Sequence, residues 1–202
     1  IAILAVGTGC ASMGAPASSS TQYFGAARHD DGFGRKISEW QQRADVPQGT
    51  TVRASVSATN SNFAAFATER RQNIARNLVA WTQNKAATNY REDGNVDHWA
   101  TLSETLQRGQ EDCDGFELLI FNGLRQAGFD TSKVYRAIVV EGSTLQHHMV
   151  TLWFEDPEDP WVIDPTGAMT LGMPRMSDLP GWVPIKLFSD TEEYTVSLGA
   201  SD

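Results

Sequence analysis

The chain has 202 residues, of which 41% are apolar, and this suits one domain with a sizeable core. Its 16 Lys and Arg against 25 Asp and Glu leave a formal net charge of −9, and no Lys/Arg cluster interrupts the sequence. A nucleic-acid partner is excluded on these grounds, because affinity for phosphate backbones rests on basic patches that displace counterions. The acidic balance suits a neutral or basic substrate segment.

In chain order, Ile1-Ala-Ile-Leu-Ala-Val6 followed by Gly-Thr-Gly-Cys10 reads as the tail of a signal peptide, too short to span a bilayer. Gly9-Cys10 resembles the end of a lipobox, which makes Cys10 a candidate lipidation site and the only expected membrane attachment. Ala15-Pro-Ala17 offers a competing cut that would discard Cys10. Either cut leaves Cys113 as the one thiol of an exported protein, periplasmic or anchored to the outer membrane, rather than the partner of Cys10 in a disulfide. The expected organisation is a signal remnant or tether over residues 1–21, an N-terminal extension over 22–66 and the main domain over 67–202.

Within the extension, Ile37 and Trp40 hint at a short amphipathic helix packed on the core, and Val52 and Val56 are weak strand marks. From about Ala67 to Ala87 the residues Ile74, Leu78 and Trp81 make an apolar stripe, with Arg70, Arg71, Arg76 and Lys85 elsewhere, so a packing helix is predicted. Trp99 is expected in the core, with cleft lining as the alternative, and Ser103 to Leu106 suggests another helical turn.

Cys113 opens the next element. Phe116, Ile120 and Leu124 recur every fourth residue and Gly128 supplies a stop, so the thiol stands at the N-terminus of a helix of about four turns. Unpaired amides and the helix dipole at that end favour a thiolate, whereas Asp112 and Asp114 oppose it, so an imidazolium partner is required.

His148 begins an alternating run in which Val150, Leu152 and Phe154 share its face. Glu155-Asp-Pro-Glu-Asp-Pro160 is turn chemistry, and Trp161-Val-Ile-Asp164 returns as a strand. A hairpin centred on Asp156 pairs His148 with Asp164, Val150 with Val162 and Leu152 with Pro160; a one-residue bulge would bring in His147 instead. Pro165–Pro184 reads as a loop bordering a cleft, and Ile185–Phe188 with Tyr194–Leu198 as closing strands. Cys113, His148 and Asp164 thus form an ordered thiol, imidazole and carboxylate, the parts of a cysteine nucleophile with its base and orienting acid.

From Asn73 to Thr166 the chain resembles the bacterial transglutaminase-like cysteine proteinases of the papain-like superfamily, a family that includes periplasmic proteases releasing adhesins. The residues that carry the resemblance are Ile74-Ala-Arg-Asn-Leu-Val-Ala-Trp81, Tyr90, Asp93, Trp99-Ala-Thr-Leu-Ser-Glu104, Gly109, Asp112-Cys113-Asp114, Leu124-Arg-Gln-Ala-Gly128, His148-Met-Val and Val162-Ile-Asp164. Glu111 stands where the family commonly has Gly, and Pro165 where it often has Asn. The resemblance implies Cys113 as nucleophile, His148 rather than His147 as base and Asp164 as orienter.

No cofactor is indicated. Glu111, Asp112, Asp114 and Glu117 put several oxygens near the helix start, and calcium dependence is known in part of the resembled family, but their spacing is no EF-hand. Zinc would consume Cys113 and the histidines that the triad needs. The expected fold is α+β, papain-like or transglutaminase-like, with the nucleophile helix packed on an antiparallel sheet. The expected activity is peptidase cleavage of a protein in the cell envelope. Acyl transfer to an amine, as in a transglutaminase or amidase, and a noncatalytic binding module on the same fold are the alternatives.

Overall fold

The computed structural model describes residues 21–29, 31–44, 61–94 and 96–198; Cys10, the Ala15-Pro-Ala17 cut and the strand marks Val52 and Val56 lie outside them. Among the described residues no helix is long and apolar enough to cross a membrane.

The described residues start with strand β1 (Thr21–Gly25) and helix α1 (Gly32–Arg43), which the Asp31 side chain caps by accepting the amide of Gly34 at 2.7 Å. Ile37 and Trp40 are the buried side of α1, as their spacing predicts. Helix α2 (Ser61–Asn89) buries Ala75, Val79, Thr82 and Ala86. Trp81 is 49% exposed, so the buried stripe is turned one residue from the Ile74, Leu78 and Trp81 set expected from hydrophobicity. Small residues face the core because α2 lies close to its neighbour: a Cβ at Gly123 would stand 2.8 Å from Leu78 Cδ2.

Helix α3 (Leu102–Arg108) begins with a capping box between Thr101 and Glu104 and ends at Gly109 in the left-handed conformation, φ 66°. Helix α4 (Cys113–Gln126) has the expected start and length, with Phe116, Ile120 and Leu124 buried. Each such fully buried side chain contributes about 1.5–3 kcal/mol of apolar burial.

Four strands follow: β2 (Val134–Glu141), β3 (His147–Trp153), β4 (Trp161–Ile163) and β5 (Trp182–Phe188), and β6 (Glu193–Leu198) closes the chain. The sheet is antiparallel, in the order β1-β6-β5-β2-β3-β4. One face carries Val134, Ile138, Met149, Trp153 and Phe188 and packs under α4, α2 and α1. The other face carries Tyr135, Val139, Val150, Leu152 and Leu187, with Tyr23 of β1 and Met176 of the loop before β5 in the same cluster. The result is the α+β arrangement expected, with α4 laid on the sheet.

The β3–β4 register differs from the expected one by two residues, because Thr151 pairs with Ile163, Leu152 with Val162 and Trp153 with Trp161. An even shift leaves every side chain on its predicted face. His148 and Asp164 are therefore diagonal neighbours on one face rather than directly opposed, still within reach for long side chains.

Candidate active site

β4 ends at Ile163, opposite Thr151, so the first half of β3 has no partner strand on that side among the described residues. The start of α4 occupies this open edge. The amide N–H of Met149, the residue after His148, is close enough to the Cys113 sulfur to favour its thiolate. The thiol is thereby placed near the main chain of the residue that follows His148.

His148 Nε2 lies 2.9 Å from Asp164 Oδ1, with the imidazole 7% exposed and the carboxylate fully buried. Asp164 accepts far more than this one bond. Oδ1 also takes the amides of Thr166 at 2.9 Å and Gly167 at 3.1 Å and the Thr166 hydroxyl at 3.2 Å, while Oδ2 takes the amides of Met169 at 2.7 Å and Thr170 at 3.0 Å. Gly167, at φ 80°, supplies the left-handed residue that lets the loop curl around the carboxylate. Burial alone would raise this carboxyl; the His148 hydrogen bond and charge, with the Thr170 and Thr166 amides, outweigh it and hold the group down at about 2. An ionised Asp164 fixes the proton of His148 on Nε2, which leaves the Nδ1 lone pair free to act as a base. The Trp182 ring lies 6.1 Å from the imidazole, centroid to centroid, and flanks it from β5.

His147, the alternative base, is exposed and lies against Phe33 of α1 at 4.9 Å between centroids. Trp99 is in the core, stacked on Phe188 at 5.6 Å and 15°. Tyr90 bridges to Glu111, and burial first, then the charge that Cys113 would carry as a thiolate and those of Asp112, Glu92 and Asp114, raises its phenol to about 12.

The thiol itself is pushed up to about 12, first by burial and then by Asp112 and Asp114; the amides of Met149 and Cys113 pull the other way. Of the opposing influences expected at the helix start, the carboxylates and burial prevail. Asp112 is the N-cap, accepting the Asp114 amide at 3.2 Å, and Asp114 is buried beneath it, bonded to the Ala100 amide at 3.2 Å. Burial and the neighbouring Asp112 carboxyl raise Asp114 well above the usual carboxylate range.

Sequence reasoning missed Arg136. Its fully buried guanidinium pairs with Glu117 through Nε and donates from Nη2 to the main-chain oxygen of Asp114 at 2.9 Å. The other Glu117 oxygen accepts the Thr151 hydroxyl at 2.6 Å. An arginine amid the apolar residues of Val134–Glu141 was the available signal, since a buried charge requires a buried partner. The loop amides that hold Asp164 left no signal in side-chain identity.

The oxygens expected to gather around Glu111, Asp112, Asp114 and Glu117 do not do so, because Glu117 turns to Arg136 and Asp114 into the core. The acidic group that does form is Asp93, Asp97 and Asp112, with one oxygen of each within 4.8 Å of the others. Asp97 also pairs with Lys36, and Asp93 accepts the His98 amide. All donors in the group are carboxylate oxygens, a set that fits calcium and not zinc.

No protein-family model matches the chain, and no curated protein matches it in sequence. Among solved structures, Legionella pneumophila LapG in its EGTA-treated form is similar with a TM-score of 0.55 at 18% identity, over 83% of this chain and 89% of that one. The chain has the LapG fold. A second structure of Legionella pneumophila LapG gives a TM-score of 0.51 at 18% identity, over 79% of this chain and 85% of LapG. A calcium-bound form gives 0.48 at 20% identity, over 80% and 86%. The transglutaminase-like fold expected from the sequence is thus the observed one.

Proposed function

We propose that the chain is a cysteine peptidase acting on a protein substrate in the cell envelope, with Cys113 as nucleophile, His148 as base and Asp164 as orienting acid. The observation that carries this reading is the buried His148–Asp164 hydrogen bond, with the Cys113 thiol close to the amide of the residue after His148. The LapG fold and the sequence resemblance to transglutaminase-like proteinases point the same way. Export is supported by the Ile1–Val6 stretch, with either lipidation of Cys10 or cleavage after Ala17.

In this mechanism the thiol is neutral at rest, and His148 Nδ1 takes its proton as the sulfur attacks the scissile carbonyl carbon. Amides of the first turn of α4 receive the oxyanion. The imidazolium returns the proton to the departing amine as the C–N bond breaks, leaving a thioester on Cys113. His148 then takes a proton from water, whose oxygen attacks the thioester and releases the acid and the thiol. Calcium, when bound at Asp93, Asp97 and Asp112, would supply positive charge beside one of the carboxylates that hold the thiol neutral.

The test is to incubate envelope proteins with the wild type and with Cys113→Ala, in the presence of a labelled primary amine. New peptide N-termini formed by the wild type alone are expected. Labelled amine joined to glutamine would instead establish acyl transfer, and binding to a partner by both proteins without either product would establish a noncatalytic module.

A further inference from the structure

Helices α2, α3 and α4 border a half-open cavity of about 190 Å³ that the proposed chemistry does not use. Trp81, Leu106, Phe116 and Leu119 give it apolar walls, and Thr105 and Glu111 also line it. These last two are 4% and 5% exposed, and the Thr105 hydroxyl oxygen and Glu111 Oε1 are both shielded from water without a hydrogen-bond partner. Buried polar atoms in folded proteins are nearly always paired, so two unpaired ones lining a single cavity constitute an unmet demand for a donor.

The protein's own cations approach the site, Arg108 as an ion pair with Glu111 and Lys85 as part of the lining, without a hydrogen bond to either oxygen. Arg108 Nη1 remains 3.5 Å from Glu111 Oε1 on a half-exposed side chain, and Lys85 stands with its ammonium 6.0 Å from the centroid of the Trp81 ring. Glu111 is directed by a close fit, because Gly115 leaves the space its side chain fills; a Cβ there would lie 2.6 Å from Glu111 Cβ.

The volume is below the roughly 300–1,000 Å³ of pockets for drug-sized ligands, which limits the occupant to a short molecule or one side chain. An ammonium carries three donors and can serve both orphaned oxygens, while an alkyl stem suits the aromatic and leucine walls. We propose that this cavity binds a primary ammonium on a short alkyl stem, with Glu111 as its counter-ion and Thr105 as a second acceptor. The group is either a lysine side chain of a polypeptide or a free alkylamine. The site does not depend on the peptidase reading.

The experiment is an NMR titration of the folded protein with n-pentylamine and with n-pentanol, following the Trp81 indole and Gly109 amide signals. Saturable shifts with the amine are expected, with the alcohol binding at least about tenfold more weakly because it brings no charge. Glu111→Gln should weaken amine binding by at least about tenfold, and Leu106→Trp, at an exposed position on the rim, should block it in a protein that keeps its fold. A short peptide containing lysine, compared with one containing norleucine, separates the sources: tighter binding than pentylamine identifies a polypeptide lysine, and weaker binding a free amine. Equal affinity for amine and alcohol, wild-type amine affinity in Glu111→Gln, or no saturable shift in the millimolar range would overturn the proposal.

Discussion

Glu117 on α4 and Arg136 on β2 form an ion pair in which neither side chain is exposed to water. Arg136 also holds the carbonyl oxygen of Asp114, the residue after Cys113, so the pair fixes the end of α4 that carries the thiol against the sheet. The guanidinium lies over the Trp40 ring at 4.6 Å and the Phe188 ring at 5.1 Å. Removing it leaves a fully buried carboxylate with Thr151 as its remaining partner. Arg136→Met should therefore cost about 3–5 kcal/mol in urea unfolding. A loss below about 1 kcal/mol would mean that Glu117 accommodates its charge by other means.

Asp164 should be as important to folding as to turnover. Both of its oxygens accept amides, so in Asp164→Asn the side-chain NH₂ must face main-chain N–H donors, a buried mismatch of about 1–3 kcal/mol. The pH dependence has a definite sign. A carboxyl held at about 2 rather than 3.8 stabilises the fold above the ordinary value, and that stability is lost as pH falls through about 2. The wild-type advantage over Asp164→Asn should shrink by about 2 kcal/mol between about pH 5 and pH 2. A gap independent of pH over that range would show that Asp164 is not ionised in the folded protein.

The thiol should be unreactive at rest. With Cys113 pushed up to about 12, alkylation by iodoacetamide at neutral pH should be slower than that of free cysteine and should rise about tenfold per pH unit toward pH 10. Asp112→Asn should speed it by removing a nearby carboxylate. A rate that levels off near neutral pH would instead reveal a thiolate–imidazolium pair already formed.

These contrasts show which physical signals the sequence carries. The face of each residue on β3 and β4 follows from alternation alone, so His148, Val150 and Leu152 were correctly placed together even though the register slipped by two. The extent of α4 was equally plain, because Phe116, Ile120, Leu124 and Gly128 mark one face and a stop. Strand β2 was not read: buried on both faces, it shows no alternation, and its signal was the density of Val134, Tyr135, Ile138, Val139 and Val140. β1 lies in the polar stretch Thr21-Gln-Tyr-Phe-Gly25 and exists through pairing with β6, a long-range contact that local pattern does not report. At the helix end around Cys113 the sequence shows the dipole and amides favouring a thiolate and Asp112 and Asp114 opposing it, but the balance needs burial, which only the folded chain supplies.

Calcium provides a separate check on the acidic group. If Asp93, Asp97 and Asp112 hold it, millimolar calcium should raise Tm, EGTA should reverse the rise, and Asp97→Asn should abolish it. Asp97→Asn also breaks the contact with Lys36, so the readout is the calcium-dependent change in Tm and not its absolute value. A Tm indifferent to calcium in the wild type would dismiss the site.

The central claim is that Cys113 forms a covalent acyl-enzyme with the help of His148. Acid-quenched mass spectrometry of the intact protein during turnover of an envelope-protein digest measures this most directly. The account predicts a peptidyl adduct on Cys113 in the wild type, removed by hydroxylamine as a thioester is, and none in His148→Ala or Cys113→Ala. Peptide cleavage that persists in Cys113→Ala, or an adduct that forms equally well in His148→Ala, would contradict it.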